Sequence, residues 1–425
     1  MKTLLIALSL LLLLGPVACI GGQGSSIAEA ASDKPRETSP AVSASELAEL
    51  VSENTRFAFD LYQALKHQDG NLFYSPFSIS AALAMTYAGA RNETERQMAS
   101  TLRFTLPQTS LHPAFNALDL ALASRGQGAK GKDGEGFRLK IANALWGQKD
   151  YQFLADFLDV LAENYGAGMR LLDFRNQPEP SRITINDWVE DRTEDRIKDL
   201  IPQGVIDEMT RLVLTNAIYF NAAWLHAFDD RSTADGQFHL LDGSHVTVPM
   251  MHQTESFGYA TGDGYVAVEL PYDGEELSMV ILLPGAGKLR AFESLLSAEL
   301  LATILGDIEN ENVALAMPRF EFKSELRLRE TLAAMGMPVA FSGMADFSGM
   351  TGNRDLQIAE VLHQAFVSVD ESGTEAAAAT AVVMRDSAAP QQPVQVTLDR
   401  PFVFLIRDVE TGAVLFAGRV VNPVA

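Results

Sequence analysis

The chain has 425 residues, 33 basic against 55 acidic for a net charge of −22, 47% hydrophobic residues and a single cysteine. That length and apolar content can bury one large core or two ordinary ones. An acidic chain with no basic run argues against a nucleic-acid or heparin-type polyanion partner, since phosphates are held by clustered Lys and Arg, and one cysteine excludes an intramolecular disulfide.

At the N-terminus Lys2 precedes an apolar stretch, Leu4 to Leu14, and then Gly15-Pro16-Val17-Ala18-Cys19. The stretch is too short to span a bilayer and suits the core of an export signal, so residues 1–18 read as a signal peptide. The end of this segment is similar to a bacterial lipobox, with Pro16 where leucine is usual. Cys19 is therefore expected to carry lipid, with ordinary cleavage nearby as the alternative. Residues 19–42, rich in Gly, Ser, Ala and Pro, read as the lipidated cysteine and a flexible tether. The expected location is the outer membrane or cell surface, or otherwise the periplasm or exterior, with membrane contact only through the lipid.

The folded part is expected to run over residues 43–425. Ser43 and Glu46 have capping-box spacing, and Leu47, Leu50, Val51, Ala58, Leu61, Tyr62 and Leu65 recur at helical spacing. Asn92-Glu93-Thr94 is a glycosylation sequon that matters only in a eukaryotic secretory route. Gly126-Gln127-Gly128-Ala129-Lys130-Gly131 has the letters of a dinucleotide fingerprint, but more glycine and charge follow it instead of a helix start, so it reads as a loop. Strand patterns follow at His245 to Met251, Leu277 to Leu283, Val313 to Phe322, Phe402 to Ile406 and Val414 to Val420. Helices crowd the first half and strands the second, which fits an α+β domain with a large mixed sheet. The seven histidines show no H-E-x-x-H spacing and no G-x-S-x-G elbow is present, so a zinc hydrolase and an α/β-hydrolase lack support, and no metal or cofactor is expected.

Ahead of the last two strands lies a run of small residues, Gly373-Thr374-Glu375-Ala376-Ala377-Ala378-Ala379-Thr380. With a period of two, Thr374, Ala376, Ala378, Thr380, Val382 and Met384 share one face, and both charges, Glu375 and Arg385, fall on the other. Such a strand can enter the middle of a sheet without burying a charge. A flexible alanine-rich linker or a frayed helix is the other reading of the run alone.

Several segments together resemble the serpins, a family of protease inhibitors. They are Asn71-Leu72-Phe73-Tyr74-Ser75-Pro76-Phe77-Ser78, Ala88-Gly89-Ala90-Arg91-Asn92-Glu93-Thr94, Ile185-Asn186-Asp187-Trp188, Leu214-Thr215-Asn216 through Trp224, Asp346-Phe347-Ser348-Gly349, Glu360-Val361-Leu362-His363 and Val420-Val421-Asn422-Pro423. They stand in the family's order between about Ser43 and Pro423. The resemblance implies a single large domain of about nine helices packed on three β-sheets, with an exposed reactive loop at about residues 371–400. It also implies a monomeric protein that is no enzyme but a suicide substrate of serine-type endopeptidases, trapping the protease covalently when its cut loop enters the central sheet.

The same resemblance assigns residues. Gly373 to Thr380 become the hinge, Ser75, Ser78, Asn216 and His363 a polar cluster beneath the central strands, and Trp224 and Phe220 the point where the loop first enters. Counting from Gly373 places the scissile bond at Ser387–Ala388, whose small residues favour an elastase-like or subtilisin-like protease. Arg385–Asp386 and Met384–Arg385 are the alternatives. A non-inhibitory carrier or chaperone, and cross-class inhibition of cysteine proteases, are the competing functions.

Overall fold

The computed structural model describes residues 27–126, 138–374 and 392–424. Cys19, the run from Glu375 to Thr380, and Met384, Arg385, Asp386, Ser387 and Ala388 lie outside them, as does the glycine motif beyond Gly126.

The first helix starts where its cap requires. Ser43 accepts from the Glu46 amide through Oγ (3.2 Å) and its own amide donates to the Glu46 carboxylate (2.9 Å), so two amides the helix leaves orphaned are satisfied. Ten α-helices lie among the described residues: α1 (Ala44–Leu65), α2 (Pro76–Tyr87), α3 (Asn92–Leu102), α4 (Gln108–Ala123), α5 (Ala155–Tyr165), α6 (Pro178–Arg192), α7 (Leu289–Glu293), α8 (Ala298–Gly306), α9 (Arg329–Met335) and α10 (Ser348–Thr351). The strands are β1 (Ala28–Ala30), β2 (Leu72–Tyr74), β3 (Arg138–Gln148), β4 (Met169–Leu172), β5 (Leu212–Ala223), β6 (Ala234–His239), β7 (His245–Gly262), β8 (Tyr265–Pro271), β9 (Leu277–Pro284), β10 (Glu309–Pro318), β11 (Phe320–Arg327), β12 (Glu360–Asp370), β13 (Gly373–Thr374), β14 (Val394–Thr397), β15 (Phe402–Asp408) and β16 (Val414–Val420).

They form a serpin fold in one domain. A seven-stranded sheet has the order β1-β4-β3-β5-β13-β12-β11, and a nine-stranded sheet runs β14-β10-β7-β8-β9-β15-β16-β2 with β6 beside β7. The expected third sheet is continuous with the second through the long β7, which pairs with β6 and β10 over most of its length and with β8 at its end. The strand expected from Val313 to Phe322 is two strands in different sheets. Pro318 ends the first, having no amide to donate, and the chain turns at Arg319.

The middle of the seven-stranded sheet is covered on both faces, so β5 and β12 are buried at nearly every residue. Leu214, Ile218, Phe220 and Ala222 of β5 join the main core with α2 and the second sheet. Val213 and Ala217 point the other way, into a smaller core with Trp146, Ile185 and Val189 under α6. Any strand added between β5 and β12 would therefore have both faces covered.

Residues 27–42 were expected to be a flexible tether. In the structure they lie on the domain, with β1 added to the edge of the seven-stranded sheet against β4. Polar contacts from Ser32, Lys34 and Arg36 to α4 and α5 hold the rest, which composition alone does not reveal.

Candidate functional site

The site is a gap in a hydrogen-bond ladder. β5 and β12 pair in parallel from Val213↔Glu360 to Tyr219↔Phe366. Beyond Tyr219 they separate, and β13 fills the space, antiparallel to both, with Thr374 opposite Ala222 and Val369 and Gly373 opposite Ala223 and Asp370. The chain reaches this position through a turn at Glu371 and Ser372. Gly373 adopts φ +153°, and a Cβ there would sit 2.1 Å from the carbonyl oxygen of Ala222, so only glycine fits.

Aromatic rings line this entrance. Trp224 stacks on Tyr272 (4.7 Å between centroids, 10° between planes) and its indole N–H donates to the carbonyl of Asp370 (3.0 Å). Phe220 meets the edge of Tyr272 at 5.3 Å. The Tyr272 hydroxyl is 2.8 Å from the hydroxyl of Thr374, and burial drives its pKa well upward, so it stays neutral. Glu371 ties the turn to the junction of β10 and β11 by accepting from Arg319 Nε (2.7 Å) and from Thr233. Burial raises its pKa, but these bonds outweigh burial and the net direction is downward.

Further along, where β5 and β12 are still paired, a polar row crosses the sheet. Asn143 of β3 is the register partner of Asn216 of β5, which is the register partner of His363 of β12. Asn216 donates to Ser78 Oγ (2.5 Å) and to Asn143 Oδ1, and accepts from His363 Nδ1. The first turn of α2 closes the row from below: Ser75 caps the helix through the Ser78 amide (3.1 Å), and its own N–H donates to His363 Nε2 (3.2 Å). These bonds assign the tautomer, with the proton on Nδ1 and the lone pair on Nε2. Complete burial pushes the His363 pKa down to about 3, so the ring is neutral.

The structure thus brings together Ser75, Ser78, Asn216 and His363, and separately Trp224, Phe220, Gly373 and Thr374. Sequence reasoning missed Asn143 and Tyr272. Asn143 was visible in principle as the polar member of Ile141-Ala142-Asn143-Ala144-Leu145 on the inward face of a strand. Tyr272 carries no such signal, because its role depends on a chain segment about a hundred residues away. Among the described residues no group of three His, Cys, Asp or Glu could hold a metal ion, and no helix is long and apolar enough to cross a membrane.

The buried ring sets a pH dependence. An unfolded histidine binds a proton below about pH 6.5, whereas folded His363 does so only near pH 3, so the unfolded state binds more protons in between and stability falls as pH falls through that window. His112, pushed down to about 4 by burial, acts in the same direction. At pH 5 His363 alone removes about 2 kcal/mol relative to pH 7.5. The thermal midpoint is expected to drop between those pH values, and to drop less in His363→Gln. An equal drop in the variant would show that the ring is not buried neutral.

Comparison with known proteins agrees with this architecture. A family model described as Serpin (serine protease inhibitor) matches residues 52–423. A serpin-like protein of Thermococcus kodakarensis is 42% identical over 376 residues, covering 88% of this chain and 86% of the relative. The human leukocyte elastase inhibitor is 40% identical over 392 residues, covering 88% of this chain and all of the relative. Among solved structures, human thyroxine-binding globulin complexed with its hormone superposes with a TM-score of 0.80 at 32% identity, over 89% of this chain and all of that one. With the match spanning nearly the whole described domain, the chain belongs to the serpin family.

Proposed function

We propose that this protein inhibits serine-type endopeptidases as a suicide substrate, and the carrying observation is the two-residue strand β13 already seated between β5 and β12. Cleavage within residues 375–391 would free the segment after Thr374 to continue down the opening. One parallel ladder would then be replaced by two antiparallel ones, which gains backbone hydrogen bonds and buries apolar surface. An acyl-enzyme still attached to the cut end would be carried with it. About fourteen residues at ~3.3 Å each amount to roughly 45 Å of travel, and distortion of the trapped protease would halt deacylation.

Register supports the reading. In an antiparallel continuation each step forward from Thr374 is one step back along β5 and β12. Thr380, six residues on, would meet Asn216 and His363, each six residues back from Ala222 and Val369. Its hydroxyl would arrive as the pairing between those two side chains is broken. Thr374, Ala376, Ala378, Thr380 and Val382 would all face the main core, where a charge would be costly to desolvate, while Glu375 would face the other side. The polar row is then a gate: hydrogen bonds can be exchanged as strands part, where interlocked aliphatic groups would resist.

We assign the scissile bond to Ser387–Ala388, with an elastase-like or subtilisin-like target. Arg385–Asp386 would suit a trypsin-like enzyme and Met384–Arg385 a chymotrypsin-like one. The name of the human relative, leukocyte elastase inhibitor, is in keeping with the first choice. We further propose export through residues 1–18 and lipid anchoring at Cys19. Since residues 27–42 pack on the domain, such an anchor would lie within seven residues of it, at most about 25 Å of chain.

Incubation with elastase, subtilisin, trypsin and chymotrypsin is expected to give a denaturant-resistant adduct with at least one, and mass spectrometry of the new N-terminus reports the bond. Thr374→Arg and Ala378→Pro should each turn the inhibitor into a cleaved substrate that leaves the protease active. Cleavage without any adduct in the unaltered protein would point instead to a carrier or chaperone. In an exporting bacterial host, Cys19→Ser should move the protein from the membrane to the soluble fraction, and continued membrane association would reject the lipid anchor.

A further inference from the structure

The N-terminal segment has contacts that the proposed mechanism does not use. β1 lengthens the sheet edge, with Ala28 opposite Leu171, Glu29 opposite Arg170 and Ala30 opposite Met169. The following residues leave the sheet and run over two helices. Ser32 donates to Asp159 of α5 (2.5 Å), and Lys34 pairs with Asp159 (3.0 Å) and Glu163 (3.1 Å). Arg36 reaches α4, donating to Asn116 (2.8 Å) and Asp119 (2.6 Å). The buried Asn116 in turn donates to the carbonyls of Glu37 (2.7 Å) and Glu163 (3.3 Å), and the Glu37 amide donates to Glu163 O (2.9 Å).

The seat for this segment is shaped to receive it. At Gly168, just before β4, a Cβ would lie 2.7 Å from the Glu29 carboxylate, 2.8 Å from the Ala30 carbonyl and 2.9 Å from Ala31 Cβ. Any larger residue there would push the segment off while leaving the core intact. Beneath it is a cavity of about 240 Å³ whose walls include Arg36, Phe77, Phe115 and Asn143. Arg36 of the segment thus borders a space that reaches Asn143 of the polar row.

We propose that residues 27–37 are a strap that restrains opening of the sheet between β5 and β12. Admitting a strand there widens the sheet by about 4.8 Å. The block β4-β3-β5 must then shift against the helices packed under it. The strap holds β4 through β1 and holds α4 through Arg36, so it bridges the boundary that must slip. Its ion pairs are partly exposed and individually weak, which makes it detachable. This inference rests on the reading that the gap between β5 and β12 is the moving part, but its test needs no protease, so a failed inhibition assay would leave it standing or falling separately.

Hydrogen exchange on the full chain provides the test, with Gly168→Val and Arg36→Glu as two independent ways to release the strap. Faster exchange at residues 28–30 reports release. The expected result is an accompanying rise of at least about fivefold in exchange of the facing amides of Val213–Tyr219 and Glu360–Phe366, with β9 and β15 unchanged. Release with no change at β5 and β12 would overturn the proposal, as would an equal rise in β9 and β15, which would signal general destabilisation. Failure of both variants to release residues 28–30 would show that these contacts do not hold the strap, and would overturn it too.

Discussion

The structure depends on one incomplete ladder. β5 and β12 bond to each other in parallel for seven register pairs and then part to admit two residues from a segment that continues elsewhere. Parallel pairing is the weaker of the two arrangements, and an antiparallel strand placed between them would satisfy both edges. The proposed inserted arrangement would thus be better bonded than the one the intact chain adopts. What withholds it is connectivity, because the segment that would fill the gap must also reach β14 on the other sheet, where Val394 pairs with Val313.

On the proposed mechanism, the rest of the site serves to make that gap passable. A central strand normally locks to its neighbours through interdigitated aliphatic side chains. Here the shared inward positions of β3, β5 and β12 are Asn143, Asn216 and His363, whose bonds can be re-formed with a new partner. Burial keeps the imidazole neutral, so no charge has to cross the core as the strands move. At the entrance, the Trp224–Tyr272 stack gives a rigid wall, while Gly373 allows the chain to pass closer to Ala222 than any side chain would permit. The strap at the far edge of the same sheet is a restraint on the same motion.

Local chemistry made part of this legible in the sequence. The capping box at Ser43 and Glu46 marked the start of α1, and the apolar-rich run Val414 to Val420 marked β16. The alternation after Gly373 placed Thr374 on the inward side, where it is buried against Tyr272. The split at Pro318 was overlooked because the apolar run on both sides reads as one strand, even though proline cannot donate within a ladder. Asn143, Tyr272 and the strap were illegible for a shared reason. Their partners are about 70, 100 and 130 residues away, and only the tertiary fold makes them neighbours.

On the proposed mechanism the intact chain stores folding free energy that a cut releases. The most direct measurement compares thermal unfolding of the intact protein with protein nicked once within residues 375–391 by a metalloprotease, which forms no acyl-enzyme. Nine or so newly paired residues at about 1 kcal/mol per hydrogen bond, at roughly 2 °C per kcal/mol for a large domain, predict a rise of about 20 °C. A midpoint that stays the same or falls after the cut would contradict the account.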